Sequence, residues 1–149
     1  MDPIRRVVTG HDETGRAVFV EDADCPHTQL TRGVATGNLW CHSGTPDNSG
    51  DYTDPIGGDV GLEPPAAGSV LRVVDFQPRR HDCPDLHRTA SLDYAVVLDG
   101  EIHAVLDEDE TILRAGDVLI QRGTTHGWAN RSDRVCRVLF VLIDARPPA

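Results

Sequence analysis

Apolar positions along this chain gather into short runs in the second half and thin out in the first. Between residues 69 and 144 the runs are SVLRVVDF (69–76), DYAVVL (93–98), EIHAVL (101–106), TILRA (111–115), DVLIQ (117–121), HGWAN (126–130) and RVCRVLFVLI (134–143). Turn-forming stretches separate them: Asp99-Gly100, the acidic 107–110, Ala115-Gly116 and Asn130 to Asp133. Short β-branched runs broken at such intervals predict an antiparallel sandwich or barrel, and no segment carries a helical period. YAVVL and VLFVLI are apolar at successive positions, so both faces of those strands must be covered. One face fills the barrel. The other calls for the N-terminal hairpin, a second sheet or a partner subunit.

The first 68 residues read differently. Ile4–Val8 and Arg16–Val20 are two short strands joined by the turn-rich 9–15, which predicts a hairpin. Glu21–Gly68 is expected to be mostly loop. Its stretch 43–59 is long and irregular, as either a functional cover or a plain surface loop would be. The cover would lie over the barrel mouth or a neighbouring subunit. Residues 1–68 are thus an arm and long loop of the same domain, and 69–149 the barrel.

Pairing across Asp99-Gly100 as a two-residue hairpin sets Val97 opposite Ile102 and Val96 opposite His103. Asp93, Ala95, Val97, Ile102 and Ala104 then face inward, while His103 and Tyr94 face out.

Composition narrows the partners. A chain of 149 residues suits one domain, and with aromatics at 5% its core is aliphatic. A formal net charge of −10 disfavours nucleic acid and anionic membrane surfaces. No apolar run approaches the ~20 residues of a spanning helix. The opening MDPIRRVV lacks the apolar stretch of a signal peptide, so the expected compartment is the cytoplasm. Cys25, Cys41, Cys83 and Cys136 form no CxxC pair and are read as free thiols.

Two segments carry the chemistry: HRTASLDYAVVLDG from His87 and GDVLIQRGTTHGWAN from Gly116. Together they resemble the two motifs of the cupin superfamily. In the first, His87 holds the leading position and Thr89 stands where a second His belongs. Asp93 replaces the usual Glu, and Gly100 follows six residues later. In the second, Gly116, Gly123, His126 and Asn130 match, Gln121 replaces a Pro, and the spacing is one residue short.

The resemblance implies an all-β, cupin-type double-stranded β-helix or jelly-roll barrel with an N-terminal β-hairpin arm. It implies a metal pocket at His87, Asp93 and His126, lined by Thr89, Gln121 and Trp128. Two imidazoles and a carboxylate suit one divalent transition metal (Fe, Mn, Ni or Zn) with open positions. Because Thr89 removes one of the four usual ligands, a metal-free polar pocket remains the alternative. His81 is either a further ligand or a loop histidine. His11, His27 and His42 are read as surface residues.

The function expected is a small metal-dependent enzyme acting on a small organic acid or carbonyl compound, of decarboxylase, isomerase or lyase type. An Fe(II)-dependent dioxygenase and a non-catalytic small-ligand-binding module are the alternatives. A homodimer is expected, with the N-terminal strands crossing onto the partner barrel.

Overall fold

The computed structural model describes residues 1–31, 34–79 and 84–147. His81 and Cys83 lie outside the described residues. Eleven strands follow one another: β1 (Arg5–His11), β2 (Ala17–Asp24), β3 (Thr28–Thr31), β4 (Val34–His42), β5 (Ser69–Phe76), β6 (Ser91–Asp99), β7 (Glu101–Leu106), β8 (Glu110–Arg114), β9 (Val118–Gln121), β10 (His126–Ala129) and β11 (Cys136–Asp144). No helix appears among the described residues, so none is present there to cross a membrane. The fold is an all-β jelly roll with antiparallel pairing throughout.

A six-stranded sheet in the order β3-β4-β5-β11-β6-β9 stacks on a three-stranded sheet in the order β10-β7-β8. The core lies between them. It joins Val74 of β5, Ala95 and Val97 of β6, Ile102 and Ala104 of β7, Leu113 of β8, and Cys136, Val138, Phe140 and Leu142 of β11. Each fully buried Val, Leu or Ile contributes about 1.5–3 kcal/mol. Along β11 the inward positions alternate strictly with half-buried ones, as one core-facing side requires. The inward set expected on β6 and β7 is buried as expected, including Asp93.

One expectation needs correction and another an addition. Asp99-Gly100 is not a hairpin loop between paired strands. β6 pairs with β11 and β9, β7 pairs with β8 and β10, and the chain changes sheets at this corner. Gly100 makes the corner possible, with φ of 81° and no room for a Cβ, which would lie 2.8 Å from the Val135 carbonyl oxygen. The inward parity survived because it depends on alternation along each strand, not on which strand is the partner.

Glu21–Gly68 is mostly loop, but it also holds strands that the sequence did not show. β2 runs on to Asp24, and β3 and β4 add two strands to the large sheet next to β5. VATGNLWCH hides its strand character behind Gly37 and Asn38, and the register shifts between Asn38 and Trp40. Gly37 leaves room on the outer face of β4, where a Cβ would meet Ile4 at 2.9 Å and Met1 at 3.3 Å. The N-terminal segment thus covers that part of the sheet.

β1 and β2 form the expected hairpin arm. Irregular chain does run from Ser43 to Gly68, and side chains clasp it to the rest. Arg6 bridges Glu21 at 2.6 Å and Asp54, and His27 reaches Asp54 at 2.8 Å. Tyr52 donates to Glu21 at 2.6 Å. His27 is therefore half-buried and hydrogen-bonded rather than a free surface residue. His42 is half-buried too, held by the Gly44 carbonyl and the Ser69 hydroxyl. Cys25, Cys41 and Cys136 are free thiols.

Candidate functional site

β10 opens at His126, and the loop before β6 passes beside it at His87. Main-chain hydrogen bonds of 2.9 Å run both ways between the two residues. Residues bridged in this way share a face, so their imidazoles come together with ring centroids 4.4 Å apart, tilted by 53°. Each ring is held alike. Nδ1 of His87 lies 3.0 Å from the Asp85 carbonyl oxygen, and Nδ1 of His126 lies 3.0 Å from that of Thr124. A carbonyl only accepts, so each Nδ1 carries a proton, and Nε2 is the nitrogen with a lone pair when the ring is neutral. Burial lowers the pKa of His126, the Thr124 carbonyl opposes that, and the charge of His87 adds to it. The uncharged ring is thus favoured.

These imidazoles border a cavity of about 420 Å³ between the two sheets. Its walls include Thr89, Asp93 and Arg72 among the polar groups, and Val74, Phe76, Trp128, Phe140 and Leu142 among the apolar ones. Trp128 packs edge-on against His126 at 5.9 Å and against Phe140 at 5.3 Å. Leu62, just beyond the 43–59 stretch, lines part of the wall.

Asp93 is buried, and its Oδ1 has no hydrogen-bond partner. Burial raises its pKa, against the Ser91 hydroxyl and the positive charges of Arg72 and His87, which pull it down. Thr89 is buried and accepts from Ser91 at 2.8 Å.

The structure therefore brings His87, His126, Asp93, Thr89 and Trp128 to one cavity. Gln121 is buried as the strand partner of Asp93 but does not line the cavity. Its amide is spent on both the carbonyl and the hydroxyl of Thr124, at 3.0 Å each. His103 points outward, 2.6 Å from Glu110, which also pairs with Arg131. Asn130, at the end of the second motif, holds the turn by donating to the carbonyls of Phe76 and Arg134 at 2.8 Å.

Arg72 was missed by reading the sequence. It is buried in the middle of β5, and alternation puts it on the same face as Val74 and Phe76. A charged residue inside the otherwise apolar SVLRVVDF was the available signal.

A divalent metal fits the donor chemistry in two respects. Both imidazoles present an Nε2 lone pair with the other nitrogen tied down, and a buried carboxylate oxygen lacks a partner. Among the described residues, however, no three His, Cys, Asp or Glu side chains converge as a set able to hold an ion. The two imidazoles are paired. Asp93 lines the same cavity without completing a cluster of three.

Comparison with known proteins adds to this geometry. Residues 72–142 match the family model described as the cupin domain. The phomopsin biosynthesis cluster protein C' of Diaporthe leptostromiformis is 40% identical over 152 residues, covering 95% of this chain and 79% of that protein. The cupin-domain-containing oxidoreductase virC of Hypocrea virens is 35% identical over 158 residues, covering 95% and 76%. Among solved structures, a cupin 2 conserved barrel domain protein from Salinispora arenicola superposes with a TM-score of 0.55 at 16% identity, over 87% of this chain and 92% of that one. That likeness speaks to the fold alone.

Proposed function

This chain belongs to the cupin superfamily, and from that premise we propose that it is a small metal-dependent enzyme acting on a small organic acid or carbonyl compound. The observation that carries the reading is the pair His87 and His126, whose Nδ1 atoms are both spent on main-chain carbonyls and whose Nε2 atoms are left to bind. His87 and His126 would supply the first two donors to one divalent transition metal, and Asp93 of the same cavity would have to close on them as the third. When bound, such an ion supplies Lewis acidity toward a carbonyl or carboxylate oxygen.

The chain's own residues do the rest. The Asp85 and Thr124 carbonyls orient the two rings, so ligation carries no tautomer cost. Trp128, Phe76, Phe140 and Leu142 keep water away from the organic part of the ligand. Decarboxylase, isomerase or lyase chemistry suits this arrangement. A second reading, oxidative chemistry of the Fe(II)-dioxygenase type, is favoured by one observation: relatives such as virC are named oxidoreductases. We further propose that the protein works as a homodimer on a small-molecule substrate.

The test is metal content after reconstitution with Fe(II), Mn(II), Ni(II) or Zn(II). Wild type is expected to retain about one equivalent and His126→Ala much less, with an unchanged circular dichroism spectrum. Retention of no metal, or equal retention by both proteins, overturns the reading in favour of a metal-free binding pocket.

A further inference from the structure

The cavity holds a cation that the metal reading does not use. Arg72 is only 7% exposed, lines the cavity wall and, among the described residues, makes one hydrogen bond, from Nη2 to the Gly61 carbonyl at 2.7 Å. Its Nε is buried without a partner. Among the described residues no carboxylate forms an ion pair with it, although it senses the charge of Asp93. A guanidinium stays protonated inside a protein, and a buried charge without a counter-ion is costly. Two residues that line this cavity therefore each carry an orphan atom: a donor on Arg72 and an acceptor on Asp93.

We propose that Arg72 is the carboxylate anchor of this pocket, so that its ligand is an organic acid bound as the anion, with an apolar body. This rests on the reading that the cavity takes a small molecule, and it selects acids over neutral carbonyl compounds within that reading. A carboxylate seated against the guanidinium accepts from it and neutralises its charge in one contact. Val74 and Phe76, on the same face of β5, continue from Arg72 into the apolar wall with Trp128, Phe140 and Leu142. The anion is thus held at one point while the rest of the molecule meets hydrocarbon. A long, flexible or doubly charged acid fits this wall poorly.

A structural role is the competing account. Asn38, opposite Arg72 across β4 and β5, also has a buried unpartnered oxygen, though it does not line the cavity. An arginine that serves only Gly61 and Asn38 has no preference to confer on a ligand.

The experiment titrates 3-phenylpropanoate, benzoate and butanoate, each beside its neutral amide, by calorimetry. Wild type, Arg72→Gln and Arg72→Lys are compared, each chelator-treated and metal-reconstituted. For at least one acid, wild type is expected to bind the anion roughly ten- to hundredfold more tightly than the amide, the range for a hydrogen bond to a charged group. Arg72→Gln is expected to lose that preference and Arg72→Lys to keep part of it. If no acid is preferred over its amide by wild type, the proposal fails. It fails equally if the preference survives in Arg72→Gln, because another group is then the anchor. Should Arg72→Gln not fold, the wild-type acid-to-amide ratio in chelator-treated protein decides. Metal that is not retained while the acid preference persists overturns the metal reading and leaves this one standing.

Discussion

A carboxylate inside an aliphatic barrel carries a desolvation cost unless something answers its charge. Asp93 is such a group, only 5% exposed and with one oxygen unpartnered. The protein accepts this cost at the residue that the proposed metal needs. Asp93→Asn removes the buried charge and is expected to stabilise chelator-treated protein by about 1 kcal/mol while metal retention falls. Urea midpoints and metal content measured on the same preparations check both halves. A loss of stability without loss of metal goes against the assignment of Asp93. At this scale the sequence was readable where spacing carries the information. His87, Asp93 and His126 stand at motif positions, and all three border the cavity. Gln121 also stood at a motif position, but its amide turned back to Thr124, a choice that depends on the local turn and leaves no spacing signal. Arg72 went unread because burial of a lone arginine depends on what four distant strands place around it.

The elements divide by how local their causes are. β5 to β11 follow from β-branched runs between turn residues and were legible to within about two residues. β3 and β4 were not, because a strand holding Gly37 and Asn38 gains its order from pairing with β5 rather than from its own propensities. The 43–68 segment shows how an irregular stretch is fixed by side chains instead. Its clasp is Arg6, buried between Glu21 and Asp54. Arg6→Ala leaves those carboxylates without their cation and is expected to cost about 2 kcal/mol, less than a fully buried pair because both acids are partly exposed. Faster proteolysis within 43–61 in that variant checks that the loop is what is released.

The same clasp predicts a pH dependence. Burial acts to raise the pKa of Asp54, but hydrogen bonds from Arg6 and His27 prevail and hold it well below the ordinary carboxylate value. A depressed acid stabilises the folded state above its unfolded pKa of about 3.9, and the contribution is lost as pH falls through the folded value. The stability difference between wild type and Asp54→Asn is expected to shrink as pH falls below about 4. Denaturant midpoints from pH 6 downward measure it, and a difference that does not shrink below about pH 4 contradicts the clasp.

At the scale of the whole molecule, the outer face of the large sheet is covered on one side and bare on the other. Strand register lays out two rows across it: Leu71, Val141, Tyr94 and Ile120, and beside them Val73, Leu139, Val96 and Val118. Met1 and Ile4 pack over Gly37, the partner of Val73, and cover the β4 and β5 end. At the other end Val118 and Ile120 are more than half exposed, with Tyr94 and Leu98 beside them. Apolar residues adjacent in two rows are a patch, not scattered surface positions. The same chain carries a second exposed apolar surface on its arm, where Phe19 is 73% exposed between Val18 and Val20. The proposed homodimer would set a second copy on this face. A two-fold arrangement would let each arm serve the other barrel and close the assembly at two. The sequence signalled only that both strand faces needed cover. It did not distinguish an N-terminal segment from a partner, because each supplies the same apolar contact. Ile120→Glu tests the distinction. Its side chain points away from the core, so the fold of each protomer is expected to hold within about 0.5 kcal/mol. A buried glutamate at the centre of an interface costs far more than that, so the dimer is expected to dissociate. Sedimentation at micromolar concentration is expected to show wild type as a dimer and the variant as a monomer of unchanged circular dichroism. A monomeric wild type leaves the patch without its partner and overturns the assembly.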